Sequence, residues 1–324
     1  MEVLQCKICG GSMVLDASGM VAVCNYCGNR YLLNREDTDY YREFYARMNE
    51  FFASSGTEQE RKQKAEKLWE NAKSRVFTCS DSTPVEIKYM YHHSEREAEV
   101  YVARRNVIFH FKTEGAAKTE LFRKNVSCLD YPSADTRNLA EFFPKISGGF
   151  VLEDGTYLLV VAKNEDEYPL RLFGALGGRH VAWIISRLEN LCCVLEFSGM
   201  AHPEITPDTV YINPYTHQAC LYGAWWEAGK VDSYSYSKRL PLFGQLSLMG
   251  LRNTAAQALG CADANHLSAQ VEIPRDFADF LRSSPRVTAY DDFAYWDDQM
   301  IRAYGERKFV TLETDDGTIY GRKD

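Results

Sequence analysis

The sequence predicts an α+β protein in three parts: a small β module, a helical connector and a larger domain whose strands precede its helices. Apolar and polar residues alternate with a period of two across much of residues 84–162, which is typical of strands. Helical spacing of apolar residues dominates after that point. Strands and helices that occupy separate parts of a chain are typical of the α+β class. The 324 residues suffice for a small module and one larger domain.

The first part contains four cysteines in two Cys-x-x-Cys pairs, each followed by a glycine. Two residues between the cysteines let both thiolates of a pair face one ion, and residues 16–19 supply a turn between two alternating segments. So few residues could not build a core without a metal. We therefore predict a zinc ribbon over residues 1–34 with one structural zinc ion; two disulfides or four unrelated cysteines are the alternatives. The predicted zinc ligands are Cys6, Cys9, Cys24 and Cys27.

The charge balance argues against a large nucleic-acid surface, because the formal net charge is −8. Within residues 1–35 three cationic residues face two anionic ones, a net charge of only +1, so nucleic-acid binding by the ribbon is a minority alternative. The N-terminus does not resemble a signal peptide, and no apolar run is long enough to cross a bilayer. The other cysteines are scattered, which suits a reducing compartment and predicts a cytoplasmic protein. They are Cys79, Cys128, Cys192, Cys193, Cys220 and Cys261.

Residues 35–76 are predicted to form a helical connector. Aromatic and apolar residues recur at helical spacing over residues 41–52, and Ser54-Ser55-Gly56 then interrupts the pattern. Thr57 and Glu60 have the spacing of a capping box, so a second helix is expected from there to about residue 75. The aromatic stripe is expected to pack on a neighbouring part of the chain, with a partner-binding face as the alternative.

The larger domain, residues 77–324, is predicted to begin with antiparallel strands and to continue as helices. Strands are expected at residues 85–91, 98–103 and 107–112. A less regular segment, a helix near residues 135–143 and a hairpin over residues 150–162 are expected to follow. Amphipathic helices are predicted at residues 180–197, 246–259, 274–282 and 292–304. The alternating tail after residue 305 predicts a short hairpin around residues 315–317.

The long helix at residues 180–197 is followed by a sequence with a distinctive order. Residues 198–212 read Ser-Gly-Met-Ala-His-Pro-Glu-Ile-Thr-Pro-Asp-Thr-Val-Tyr-Ile, and Leu221-Tyr222-Gly223 follows nine residues later. This order resembles the catalytic-loop region of the protein kinase family, with His202 at the family's histidine and Leu221-Tyr222-Gly223 in place of Asp-Phe-Gly. The resemblance covers roughly residues 84–304. It implies a two-lobed domain, with an N-lobe at about 77–162, a hinge at 163–170 and a C-lobe at about 163–304 followed by a tail.

The resemblance also implies that most catalytic positions are degenerate. Leu221 replaces the metal-binding aspartate, Thr209 the second metal ligand, and Thr206 the lysine that neutralises the transferred phosphate. Glu204 stands at the catalytic aspartate, and its extra methylene shifts the carboxylate. No glycine occurs between residues 85 and 106, so a phosphate-binding loop cannot form there. Pro203 and Gln245 are further replacements, whereas His202 and Gly223 are retained.

A few remaining positions have open alternatives. Lys112 is the candidate for the family's nucleotide-binding strand lysine, with an ordinary strand-end lysine as the alternative. Glu141 is a candidate partner for it, and an exposed helix glutamate is the preferred alternative. The two histidines His92-His93 are neighbours in a strand and point to opposite faces, which argues against a shared metal ion. Trp225-Trp226 are expected either to pack in the core or to cover the cleft as a contact surface. We expect His202 to bond nearby backbone.

These observations favour a non-catalytic zinc-ribbon pseudokinase that acts as a scaffold or regulator and binds protein partners. No catalytic residue is expected, and the losses make nucleotide binding doubtful. One alternative is an atypical phosphotransferase that uses Glu204 as its base. Another is a nucleic-acid-associated adaptor that works through its zinc ribbon.

Overall fold

The computed structural model describes residues 13–15, 21–24, 30–32, 58–131, 134–230, 240–305, 310, 312 and 314–321. Near the N-terminus β1 (Met13–Leu15), β2 (Val21–Cys24) and β3 (Arg30–Leu32) form an antiparallel sheet in that order. The predicted hairpin segments therefore pair, with Met13 opposite Cys24. The side chains of the four predicted zinc ligands and the aromatic stripe at residues 41–52 lie outside the described residues, so the zinc ribbon stays a prediction.

The second connector helix is shorter than predicted, and a strand follows it. Helix α1 spans Glu58–Glu70, and β4 (Lys73–Thr78) pairs antiparallel with β5 (Pro84–Tyr89). The prediction of helix to residue 75 is therefore wrong. The β-branched and aromatic pair Val76-Phe77 favours a strand once β5 is available as a partner. The boundary predicted between residues 76 and 77 falls inside β4.

A five-stranded antiparallel sheet forms the first lobe, in the order β6-β7-β8-β10-β9. Its strands are β6 (Tyr91–Ser94), β7 (Ala98–Val102), β8 (Asn106–Phe111), β9 (Lys145–Val151) and β10 (Tyr157–Ala162). The predicted strands at 98–103 and 107–112 and the predicted hairpin are confirmed, whereas the one predicted at 85–91 is divided between β5 and β6. Phe109 and Phe111 of β8 point into the main core, and Ile108 packs on the other face with β4 and β5.

Helix α2 (Gly115–Ser127) lies between β8 and β9, in the segment that was expected to be irregular. The glycine at its start has a packing reason, because a Cβ on Gly115 would collide with Tyr157 of β10. The helix predicted near 135–143 is a 3₁₀ helix, Ala134–Phe142.

The second lobe is mainly helical, with short strand pairs at its boundary with the sheet. The predicted helices are confirmed with small shifts of their ends: α3 (Gly178–Phe197), α4 (Leu240–Ala258), α5 (Arg275–Arg282) and α6 (Ala289–Tyr304). The short strands are β11 (Tyr168–Pro169), β12 (Met200–Ala201), β13 (Val210–Asn213), β14 (Gln218–Leu221) and β15 (Gly229–Lys230), with a 3₁₀ helix at Leu170–Phe173. β13 pairs with both β11 and β14, and β12 pairs with β15.

The tail ends in a helix, and the hairpin predicted around residues 315–317 is wrong. Helix α7 spans Asp316–Tyr320, and the Asp315 carboxylate caps it by accepting hydrogen bonds from the backbone and hydroxyl of Thr318. Ile319 is buried in the main core, which holds this short helix in place. None of the described helices is long and apolar enough to span a membrane.

Candidate functional site

The loop between β12 and β13 lies against the residues that follow β14. The backbone N–H groups of Tyr222 and Gly223 both donate to the carbonyl of Thr209, at N–O distances of 3.0 and 3.3 Å. A Cβ on Gly223 would come within 2.7 Å of the Thr209 side chain. Glycine at position 223 is therefore required by this close approach, and the two segments that carry the family resemblance are in direct contact.

His202 is fully buried and holds this contact together. Its Nε2 donates to the carbonyl of Gly223 at 3.0 Å, so the neutral ring carries its proton on Nε2. Its backbone N–H and C=O both bond the hydroxyl of Ser247 on α4, at 2.9 Å each. Burial lowers the pKa of His202 to about 4. The imidazole therefore has the backbone partner expected of it and stays neutral near pH 7.

The two threonines at degenerate positions use their hydroxyls within the loop. Thr209 Oγ1 donates to the carbonyl of Glu204 at 2.7 Å and accepts from the backbone N–H of Thr206 at 2.9 Å. Thr206 Oγ1 lies 3.2 Å from Thr209 Oγ1. Thr209 is 3 % exposed, and its hydroxyl is engaged in hydrogen bonds that stabilise the turn.

Leu221 lies in the core of the second lobe, fully buried at the end of β14. Its carbonyl accepts a hydrogen bond from the Trp225 indole N–H at 2.9 Å, and its side chain has no atom that binds a cation. The neighbouring Tyr222 hydroxyl donates to Glu167 at 2.8 Å. Within the part of the chain that the structure describes, no three His, Cys, Asp or Glu side chains form a group that could hold a metal ion.

A cleft of about 340 Å³ separates the loop from the β6–β7 turn of the sheet. Five carboxylates and two guanidinium groups line it, so its formal charge is −3. These groups are Glu95, Glu97, Glu204, Asp208 and Glu227, and Arg96 and Arg171. Asp208 pairs with Arg171 at 2.6 Å, whereas Glu204 is exposed to solvent. An acidic lining of this kind disfavours a triphosphate.

Aromatic rings fill the space between the sheet and α2. Trp226 packs edge-on against Phe109 and Phe111 of β8, with centroid distances of 5.4 and 4.9 Å, and against Phe122 of α2 at 6.3 Å. Trp225 is fully buried and Trp226 is 7 % exposed. Trp225 therefore packs in the core, and Trp226 packs on the sheet and α2 while it also lines the cleft.

Asn125 fastens α2 to the segment after Gly223. Its side-chain amide donates to the carbonyls of Trp225 and Ala228 at 2.9 and 2.6 Å, in a buried position. Neither Asn125 nor Phe122 was expected at the site, because α2 was not predicted. The available signal was the contiguous, helix-compatible composition of residues 115–127, without a proline.

Lys112 and Glu141 are not brought together. Lys112 follows β8 with the parity of Ile108, on the face opposite Phe109 and Phe111; its side chain is 67 % exposed and pairs with Glu99 at 2.8 Å. Glu141 is exposed on the 3₁₀ helix. The alternatives of an ordinary strand-end lysine and an exposed helix glutamate fit these two residues. The neighbouring histidines also have separate partners, since His92 bonds Glu99 and His93 bonds Glu95.

The hinge at residues 163–170 contains a buried lysine and a buried glutamate that were not singled out. Lys163 Nζ donates to the carbonyls of Arg104 and Asn164, each at 2.9 Å, and burial lowers its pKa to about 8. Glu167 accepts from the backbone and the side chain of Asn164 and from Tyr222. These bonds tie the hinge to Arg104 after β7 and to Tyr222 after β14.

Comparison with known proteins gives no family assignment by sequence: no protein-family model matches the chain, and no curated protein matches it. The chain is similar to the kinase domain of BubR1, with a TM-score of 0.45 and 10 % identity over 67 % of this chain and 80 % of that one. It is also similar to a rhoptry kinase from Toxoplasma gondii, with a TM-score of 0.45 and 8 % identity over 71 % of this chain and 84 % of that one.

Proposed function

We propose that the chain is a non-catalytic, protein-kinase-like scaffold or regulator that binds protein partners and carries a zinc ribbon at its N-terminus. The order of elements supports this interpretation. A five-stranded antiparallel sheet with one helix is followed by a hinge, a long helix and the loop that contains His202. Strand pairing then brings that loop against Tyr222-Gly223, as the resemblance implies.

The buried Leu221 carries the non-catalytic part of the proposal. Phosphoryl transfer depends on metal ions that bridge the phosphates, and in protein kinases an aspartate at this position holds one of them. The aliphatic side chain cannot coordinate a cation, and the core leaves it no access to the cleft. The second ligand position, Thr209, uses its hydroxyl inside the turn.

The interior of the first lobe gives independent support. Active kinases need an ion pair between a lysine on the third sheet strand and a glutamate on the following helix. In this chain the third strand is β8 and the following helix is α2, and they meet through Phe109 and Phe122 at 6.2 Å. An apolar contact in that place packs the helix but cannot position a phosphate.

A nucleotide titration tests the proposal. Purified full-length protein is expected to show no Mg²⁺-dependent binding of ATP, because both metal positions lack a free oxygen ligand. The titration is followed by calorimetry with Mg²⁺ and with EDTA, and an active protein kinase serves as the positive control. Tight ATP binding that requires Mg²⁺ would contradict a non-catalytic cleft.

One observation favours a second candidate, an atypical phosphotransferase. Glu204 is exposed and lines the cleft, so a carboxylate is available at the position of the catalytic base. Transfer of a radiolabelled phosphoryl group that is abolished by Glu204→Gln would support it. Glu153→Gln, an exposed glutamate at the β9–β10 turn, is the matched control.

A further inference from the structure

Three segments that are far apart in the sequence meet at the hinge. The Asp316 carboxylate at the start of α7 accepts a hydrogen bond from the indole N–H of Trp69 on α1 at 2.8 Å. Its other oxygen accepts from the hydroxyl of Tyr168 in the hinge at 2.5 Å. Trp69 is 8 % exposed. One carboxylate from the tail therefore joins the connector helix to the hinge.

Aromatic packing strengthens the same junction. The ring of Tyr320 lies edge-on to Trp69, with centroids 5.8 Å apart, and to Tyr168, at 5.7 Å. The tail is also held just before α7, where the carbonyl of Thr314 accepts a hydrogen bond from Tyr215 at 2.5 Å. Helix α7 is thus fixed to the second lobe and presents Asp316 and Tyr320 to α1.

The connector helix contacts α7 more than it contacts any other described element. Among the α1 side chains whose burial the structure describes, Trp69 is the buried one and most of the others are exposed. A cavity of about 450 Å³ opens between α1, the hinge and the start of α7. Its lining is mixed in charge, with lysines from α1 and carboxylates from the hinge and the tail. The junction is therefore a small set of contacts beside polar space rather than a continuous core.

We propose that α7 is a releasable clasp that holds the connector helix α1 on the hinge, with Asp316 as the residue that joins them. While the clasp is closed, the N-terminal module is tethered to the two-lobed domain at the point where its lobes meet. Loss of the contact between Asp316 and Trp69 frees α1 and leaves the domain folded, because Ile319 still anchors α7 in the main core. The proposal does not depend on whether the cleft binds a nucleotide.

Hydrogen–deuterium exchange of the full chain tests this. In Asp316→Ala, peptides from α1 are expected to exchange about tenfold faster or more, because hydrogen bonds to a charged acceptor are lost. Trp69→Phe keeps an aromatic ring but removes the N–H donor, and it is expected to raise exchange in α1 as well. Peptides from α3 should be unchanged in both. Asp298→Ala, an exposed aspartate on α6, is the matched control.

The double variant separates the clasp from unrelated destabilisation. If Asp316 and Trp69 act through one contact, Asp316→Ala combined with Trp69→Phe gives an increase well below the product of the two single effects. Unchanged exchange of α1 in Asp316→Ala, with faster exchange confined to α7, would show that something else holds the connector. Loss of protection in α3 would also overturn the proposal, because a releasable clasp must leave the domain folded.

Discussion

His202 has a structural role in the loop between β12 and β13. Its ring bonds the carbonyl of Gly223, and its backbone bonds Ser247 on α4. Three segments of the second lobe therefore meet at this side chain. Burial keeps the ring neutral, because its protonation would place a charge in the core.

The depressed pKa of His202 predicts a loss of stability in acid. The unfolded chain takes up the proton near pH 6.5 and the folded chain only near pH 4, so this stability is present above pH 6.5 and is lost as the pH falls toward 4. A difference of this size corresponds to about 3 kcal/mol. His202→Gln keeps an N–H donor and cannot titrate. The free energy of unfolding, measured in urea between pH 4 and 7, is expected to depend less steeply on pH in this variant than in the original chain. The difference in slope corresponds to about one proton.

His202 is not the only buried histidine among the described residues that can destabilise the fold in acid. Burial also lowers the pKa of His217, to about 3, so the variant should retain part of the acid destabilisation. A slope in His202→Gln equal to that of the original chain would show that His202 is not the titrating group.

The local sequence pattern was sufficient to predict the position of some site residues but not of others. The register around His202 and Gly223 could be read directly, because the loop, the short strand and the following turn are consecutive. Lys112 was left open between a cleft lysine and an ordinary strand-end lysine, and the parity of β8 puts it on the face of Ile108, opposite Phe109 and Phe111. One residue of register decides the face of a strand side chain, and the end of a strand is the least certain part of a pattern.

Among the elements, α2 is the one that sequence patterns failed to predict. Its N-cap, Glu114, has a left-handed backbone with φ of 52° and makes no side-chain capping bond, so the usual start signal is missing. Its buried positions include a glycine, a threonine and an asparagine, and only Phe122 is a large apolar residue. A helix whose buried face is largely small or polar gives no apolar stripe.

The buried amide of Asn125 makes a prediction about that helix. Asn125→Ala leaves the carbonyls of Trp225 and Ala228 buried without this donor, which should cost about 1–3 kcal/mol of unfolding free energy. Amide exchange in α2 and in residues 222–230 is expected to rise, since the amide joins these two segments. Denaturant unfolding and exchange measurements together check both the size and the place of the effect.

A surface change on the same helix serves as the control. Lys124 is exposed, so Lys124→Ala is expected to alter stability by less than about 0.5 kcal/mol. If Asn125→Ala behaved like Lys124→Ala, the attachment of α2 to the segment after Gly223 would have to depend on the Trp226 packing alone.

At the scale of the whole molecule, the order of strands and helices could be predicted from the sequence. The contacts between segments that are distant in the sequence could not. The order of strands before helices and the four main helices follow from periodicity and turn signals, whereas the hinge region is implied by the family resemblance. Helices α1 and α7 are held by contacts with residues that are distant in the sequence. Asp316 bonds Trp69, 247 residues away, and Tyr168, 148 residues away. A short helix that is stabilised by such contacts has no periodic signal of its own.

The helical lobe is held together by a buried ion pair. Arg252 on α4 forms a bidentate pair with Asp292 on α6, with N–O distances of 2.7 and 2.8 Å, and both side chains are almost completely buried. Burial and the adjacent Asp292 raise the pKa of the nearby Glu189 on α3 well above its usual range. The raised pKa favours the neutral form of the Glu189 carboxyl, and the bidentate geometry makes Asp292 the counter-charge of Arg252.

Removal of that counter-charge should destabilise the fold strongly, because it leaves a buried cation unpaired. Asp292→Asn is expected to lower the free energy of unfolding by about 3–5 kcal/mol. The amide also weakens the hydrogen bond that Asp292 accepts from the backbone of Arg286 at 2.8 Å. Equilibrium denaturation at pH 7 measures the loss, with Asp298→Asn on the exposed face of α6 as the control, expected to stay within about 0.5 kcal/mol. A loss below about 1 kcal/mol for Asp292→Asn would mean that Glu189 ionises and takes over the pairing, and the double variant Asp292→Asn with Glu189→Gln would then unfold far more readily.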